Sequence, residues 1–257
     1  MTRQAPMAKH GVGHRALAGA APFAIALTLL GLAACDAALD SSGYQRDFAI
    51  AQCSPGPTGR NTYYILEPGH QAVLEGGGAK LQITVLDETR IIEGIVTRVV
   101  EEREWDDGQL IEVARNYFAI CERTKDVYYF GEDVDFYKNG KVVGHAGTWL
   151  AGKDGARAGL MMPNEPRIGM KYFQEIAPGV AMDRAEIVSL DETCATPAGT
   201  FARCMKTKEL AALGFWSSLR FWEAEYKFYA PGIGLVRDAD LRLTRHGAAK
   251  QAMAGRP

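Results

Sequence analysis

From Asn61 onward, β-branched and aromatic residues alternate with polar ones in runs that turn residues cut at short intervals. A period of two marks half-buried strands, because successive side chains on a strand point to opposite faces. Asp107-Gly108, Asn139-Gly140, Asp154-Gly155, Pro178-Gly179, Ala198-Gly199 and Pro231-Gly232 each separate two strand candidates. Gly76-Gly77-Gly78 reads as one more turn, and only Lys208 to Leu219 reads as a short helix. A meander this long must bury one face and dispose of its edges, and curling does both. The pattern therefore predicts a mainly β fold: a single curled antiparallel meander closing into a barrel or half-barrel, with at most one or two short helices.

Tight turns also fix register, so opposite pairs follow from the turns. A two-residue turn at Asp107-Gly108 places Arg98 opposite Tyr117 and Arg103 opposite Glu112. One at Asn139-Gly140 places Phe130 opposite Trp149 and Val134 opposite His145. With Thr124-Lys125 as the tip between these hairpins, Ala119 meets Phe130. One face then carries Val96, Val100, Val113, Ala119, Phe130, Val134, Val143 and Trp149 and is expected to point inward. The other carries Glu101, Arg103, Glu112, Asn116, Asp133 and Asp135 and is expected to be wet. Five polar residues remain on the apolar face: Arg98, Arg115, Tyr117, Glu132 and His145. Charges in an apolar interior must pair, line a wet cavity or hold a ligand. They form either a buried ion-pair network that sets register, or a pocket whose guanidinium groups grip an acidic head group between aromatic walls.

Before the sheet, the chain has a different character. Residues 1–15 carry Arg3, Lys9 and Arg15 without an acidic residue, and Ala16 to Ala34 is apolar or small apart from Pro22 and Thr28. These are the charged and apolar regions of a secretory signal. Leu32-Ala33-Ala34-Cys35 matches a lipobox, in which the cysteine becomes acylated. An uncleaved membrane anchor is the alternative, but Asp36 and Asp40 follow where a basic stop-transfer cluster would stand. The expected organisation is a lipoprotein signal peptide over 1–34, a lipidated N-terminus and flexible tether over 35–60, an antiparallel β domain over 61–245 and a disordered tail over 246–257. The expected location is the cell envelope, lipid-anchored and facing the periplasm, with Asp36 favouring the inner membrane.

In an oxidising compartment the remaining cysteines tend to pair. Cys194 and Cys204 flank a turn and are the first expected pair, which leaves Cys53 for Cys121. No close Cys-x-x-Cys and no neighbouring histidine supports a zinc site, and no cofactor is expected. Lys plus Arg count 29 against 31 for Asp plus Glu among 257 residues, so no global basic field draws the protein to nucleic acid. Catalytic signatures are absent: no Gly-x-Ser-x-Gly elbow, no His-Glu-x-x-His and no Walker loop. Glu132 with His145 is the one acid–base pair available, which makes an enzyme the minority expectation.

Trp105-Asp106-Asp107-Gly108-Gln109-Leu110, Tyr129-Phe130-Gly131-Glu132-Asp133-Val134, Thr196-Pro197-Ala198-Gly199-Thr200-Phe201 and the stretch from Phe228 to Val236 resemble phrases of uncharacterised bacterial exported lipoproteins. Their antiparallel sheet is loosely similar to the half-barrel of the lipoprotein carriers, which shelters acyl chains, although no pair of covering helices is evident here. The export signal and the polar cluster together lead to the first expectation, a membrane-tethered periplasmic binding module whose curled sheet encloses an amphiphilic or acidic small ligand near Arg98, Arg115, Tyr117, Glu132 and His145. The alternative is a structural component of an envelope assembly, docking through the aromatic residues Phe215, Trp216, Phe221 and Trp222.

Overall fold

The computed structural model describes residues 40–210 and 224–249. The expected signal peptide, Cys35, Asp36, the aromatic residues at 215, 216, 221 and 222 and most of the expected tail lie outside these residues.

Long alternating runs become long strands. Short β1 (Pro55–Gly56), β2 (Gly59–Arg60) and β3 (Ile65–Leu66) precede β4 (His70–Gly76), β5 (Ala79–Ile92), β6 (Ile95–Asp106), β7 (Gln109–Cys121) and β8 (Val127–Lys138). There follow β9 (Lys141–Gly144), β10 (Trp149–Leu150), β11 (Arg157–Met162), β12 (Lys171–Phe173), β13 (Glu175–Ile176), β14 (Arg184–Thr196) and β15 (Gly199–Leu210). The last are β16 (Glu225–Ala230), β17 (Gly234–Asp238) and β18 (Leu241–Ala248). Among the described residues there is no α-helix; the expected helix begins inside β15 instead, and β18 runs into the expected tail.

The sheet order is β12-β14-β15-β16-β17-β18-β4-β5-β6-β7-β8-β11-β13. Its two ends are adjoining stretches of chain, since β12 and β13 are separated only by Gln174. The first pairs with β14 and the second with β11, so the meander is nearly closed into a barrel, as the pattern of turns predicts. Gly159 on β11 permits this approach: a Cβ there would lie 2.1 Å from the Gln174 carbonyl oxygen.

The turns are where the sequence places them. Asp107 and Gly108 both have positive φ, as do Asn139 and Gly140, the backbone of a type I′ hairpin turn. The registers, however, hold only for the residues next to each turn. Asp106 faces Gln109 and Trp105 faces Leu110, but an irregularity beyond Trp105 puts Glu104 opposite Glu112 and Arg98 opposite Phe118. In the next hairpin Tyr137 faces Val142, and a second shift sets Phe136 opposite Gly144. Trp149 consequently lies opposite Glu132 rather than Phe130, and Ala119 opposite Tyr128. Each bulge adds a residue to one strand and so exchanges the two faces beyond it. Val143, expected inside, is the added residue of the second bulge and is exposed, Val96 is exposed at the end of the β5–β6 hairpin, and Arg103 pairs with Glu101 instead of Glu112.

Residues 40–58 are packed against the sheet, contrary to a flexible tether. Tyr44 is buried against Phe173, Gln45 bridges to Tyr172, Asp47 pairs with Arg157, and Phe48 lies against Tyr128. A disulfide joins Cys53 to Cys121 with 5.4 Å between their Cα atoms. The strap crosses β12, β11, β8 and β7 and then enters the barrel end, where Tyr63 and Leu66 join the core. Apolar residues within 44–66 explain the correction: the Gly and Pro content marks bends in a docked segment. Cys194 and Cys204 are buried free thiols, so the first expected disulfide is not formed. The bulged register places Cys204 opposite Glu192 and Cys194 opposite Phe201, not opposite each other.

Arg98 holds the strap to a wide bulge in β5. Its guanidinium donates to the carbonyls of Pro57, Leu86 and Glu88 at 3.0, 3.3 and 3.4 Å and to Thr58 Oγ1 at 2.9 Å. Arg98→Met should lower unfolding free energy in urea by about 2–4 kcal/mol, since several buried acceptors lose their donor. Arg115→Met, which removes only a half-exposed pair with Glu88, should cost no more than about 1 kcal/mol. Equal losses in the two variants would contradict the clamp.

Candidate functional site

The five residues expected to form one pocket are not brought together. Arg98 is spent on the strap, and Arg115 pairs with Glu88 in a partly exposed ion pair. The Tyr117 hydroxyl donates to Asp133, and Arg90 donates to both, at 2.7 and 2.6 Å. His145 is exposed and contacts Asp135 at 2.8 Å. Glu132 points into the barrel, and Arg98, on the same face of β6 as Val100 and Glu102, is turned to the barrel end against the strap, so the expected acid–base pair of Glu132 with exposed His145 is also absent. The bulge opposite Tyr117 explains the separation: two residues, Phe130 and Gly131, stand against one. Gly131 is required there, because a Cβ would lie 2.3 Å from the Trp149 carbonyl oxygen.

What the barrel encloses instead is a set of carboxylates. Glu104 lies opposite Glu112, and Asn116 lies opposite Glu132, with Glu102 in step with Glu104 on the same strand. From across the barrel, Glu209 on β15 and Asp238 on β17 flank Lys227 on β16. Lys227 Nζ is 3.3 Å from Glu209 and 3.6 Å from Asp238. Glu209 also accepts from Thr207 Oγ1 at 2.9 Å and from the Tyr229 hydroxyl at 3.2 Å. Glu175, on the closing stretch, joins them and interacts with Glu132 and Asp183. The Tyr129 hydroxyl donates to Asn116 and lies within reach of Glu132.

Glu102, Glu104, Glu112, Glu132, Glu175, Glu209 and Asp238, with Asp183 and Glu225 near enough to repel them, thus share an interior in which, among the described residues, Lys227 is the cation that faces them. Burial and mutual repulsion decide their protonation. Enclosure, with Glu104 and Glu102 as like-charged neighbours, pushes the Glu112 carboxyl up to about 8. Enclosure raises Glu132 to about 8, with Glu112 and Glu102 adding to the rise against the Tyr129 hydrogen bond. Glu102 rises to about 7, held back by Lys227. Glu175 is raised well above the usual range, chiefly by burial and then by Glu132. Asp238 and Glu104 also move up through burial, while Asp238 and Glu209 hold the Lys227 ammonium firmly protonated.

This interior is enclosed but not solid. Glu209, Asp238 and Lys227 keep 12, 17 and 27% of their side-chain surface, and Glu102, Glu104, Glu112, Glu132 and Glu175 are likewise half-buried. Deep groups that retain surface face a space wide enough for water. Two further polar atoms, Trp149 Nε1 and Tyr172 Oη, are buried without a hydrogen-bond partner among the described residues. Orphaned donors in a native interior call for a partner. Among the described residues, no three His, Cys, Asp or Glu side chains converge as metal ligands do.

These residues were hidden from sequence reasoning by the bulges, which turned Glu112 and Asn116 from the expected wet face to the inside. A signal was present in β15 and β16, where Thr207, Glu209, Lys227 and Tyr229 alternate with Lys206, Lys208, Tyr226 and Phe228. Polar residues occupy both faces there, which suits a strand with a wet interior on one side and solvent on the other. No family model, curated protein or solved structure matches this chain.

The raised carboxyls set a pH dependence of stability. In the unfolded chain these groups release their protons near pH 4.3. In the fold, Glu102, Glu112 and Glu132 hold theirs to about 7, 8 and 8. The folded state therefore binds more protons between these limits, and stability falls as pH rises through that window, levelling off above it. Melting temperature should drop from pH 5 to pH 8, and Glu112→Gln with Glu132→Gln should flatten the decline. A melting temperature that holds or rises over that interval would contradict the assignment.

Proposed function

We propose that this protein is a lipid-anchored envelope lipoprotein whose barrel binds a small organic cation carrying more than one positive charge. The observation that carries the ligand assignment is the interior charge balance. Among the described residues one enclosed ammonium faces a set of carboxylates, several of which stay ionised near neutral pH only with a further cation beside them. Net repulsion of this kind is a liability for stability and a feature of binding sites. The unpartnered Tyr172 hydroxyl and Trp149 indole N–H lie in the same core and can orient the body of such a ligand. The dispersed carboxylates favour an organic amine of some length over a metal ion, which demands converging ligands.

The anionic ligand suggested by Arg98 and Arg115 loses its support, because those guanidinium groups are engaged elsewhere. Support for the anchored location comes from the Leu32-Ala33-Ala34-Cys35 lipobox behind an apolar signal, and the Cys53–Cys121 disulfide suits an oxidising compartment.

Isothermal titration at pH 7 with 1,4-diaminobutane, and with 1,4-butanediol as its uncharged counterpart, tests the assignment. Diamine binding should displace protons from Glu102, Glu112 and Glu132, so the observed heat should change with the ionisation enthalpy of the buffer. Glu112→Gln with Glu132→Gln should weaken binding at least about tenfold, the loss of a charge-assisted contact. Binding of the diol as tight as that of the diamine, or no proton release on diamine binding, would overturn it.

A further inference from the structure

The docked strap changes how an anchored barrel sits. Asp40 is fixed: its carboxylate accepts from the backbone N–H groups of Ser42 and Tyr44 at 2.9 Å and lies 4.0 Å from Arg184. Five residue steps separate Cys35 from Asp40, which span at most about 18 Å when fully extended. A lipid on Cys35 therefore holds the Asp40 end of the strap close to the bilayer, where a free tether to residue 60 would have let the barrel turn in any direction.

The surface around that point is built from outward-facing positions of adjacent strands. Tyr172, Ala185, Ile187, Met205 and Thr207 point inward and are fully buried, so the residues between them face out. On β12 and β14 these are Lys171 and Arg184, which stand over the Tyr44 ring at 5.7 and 5.0 Å. Glu186 beside them is opposed by Lys171 at 3.7 Å and lies in register with Lys208 on β15. Lys206, two residues before Lys208, stands 4.4 Å over the ring of Tyr226, which is 41% exposed, and 5.4 Å over Phe228. Arg237 on β17 covers the other side of Phe228 at 4.7 Å. Five cations (Lys171, Arg184, Lys206, Lys208 and Arg237) thus run across neighbouring strands, answered by Asp40 and Glu186. The same strands turn their carboxylates, Glu209 and Asp238, inward.

We infer that this outer face of β12, β14, β15, β16 and β17 lies against an anionic phospholipid surface when the protein is anchored. The inference rests on the lipid at Cys35 for its geometry and on the cation stripe for its partner. Basic side chains with apolar stems and an exposed tyrosine suit the headgroup layer, where anionic lipid attracts Lys and Arg and amphipathic rings settle at the interface. It also sets the orientation of the barrel, with the β8–β9 hairpin tip, where Lys138 and Lys141 are exposed, as a reference site remote in sequence from the stripe.

The test is lysine acetylation by a water-soluble reagent, read by mass spectrometry on the full chain matured in its host and reconstituted into vesicles. Vesicles of phosphatidylglycerol and phosphatidylcholine at 3:7 should protect Lys171, Lys206 and Lys208 at least fivefold relative to detergent, leaving Lys138 and Lys141 unchanged. Pure phosphatidylcholine should protect them much less. Equal labelling of both lysine groups, or equal protection by both vesicles, with a lipidated Cys35 in the same mass spectrum, overturns the docking face. An unlipidated Cys35 overturns the lipoprotein reading instead. The face is then judged by co-sedimentation of that chain with the anionic vesicles. A fivefold loss in the Lys206→Glu, Lys208→Glu double variant upholds it, and sedimentation unaffected by these changes, or none at all, rejects it.

Discussion

A carboxylate enclosed by a β-barrel must be protonated, paired or wetted, because low surrounding polarity penalises its charge by several kcal/mol. The interior of this protein uses all three answers. Glu209 and Asp238 are paired with Lys227. Glu112 and Glu132 keep their protons past neutrality, and the half-buried state of the whole set leaves room beside them. An apolar core would serve the sheet better if stability were the only demand on it. The enclosed charge is what supports the proposed binding of a cation.

Reaching that interior depends on bulges. The alternation of apolar and polar residues and the turn pairs made the barrel, its hairpins and the Cys53–Cys121 connection legible from the chain. The candidate site was not legible, for a definite reason. A strand's faces are assigned by counting from a turn, and one extra residue reverses every assignment beyond it. Such residues are Ile111 against the step from Glu104 to Trp105, Val143 against the step from Phe136 to Tyr137, and one of Phe130 and Gly131 against Tyr117. Gly131 is the one whose identity hints at a bulge, since its positive φ and the nearby Trp149 carbonyl exclude a side chain. Nothing in the residue types at the other two announces it. Arg98 and Glu132 both keep the inward side expected of them, and what separates them is that Arg98 is tied to the strap and the β5 bulge.

The strap ties these levels together. It was read from composition as a tether, yet Tyr44, Phe48, Cys53 and Tyr63 each contribute a ring or a bond to the barrel. Arg98 then holds the strap's end to the β5 bulge. A segment pinned at so many points transmits the position of its first residue to the whole domain. If Cys35 carries the proposed lipid, the position of the bilayer, the strap on the outer face and the acidic interior behind it are linked through Asp40.

The account stands most directly on the protonation of the enclosed carboxyls. Carbon-13 NMR of the protein labelled at the glutamate side-chain carboxyl, titrated from pH 3 to pH 9 without added amine, reads each group separately. Resonances of Glu102, Glu112 and Glu132, assigned through single Gln variants, should titrate near 7, 8 and 8, far above the exposed glutamates. If all three instead titrate with the exposed glutamates near pH 4.3, the interior holds no repulsive charge for a cation to relieve, and the central claim fails.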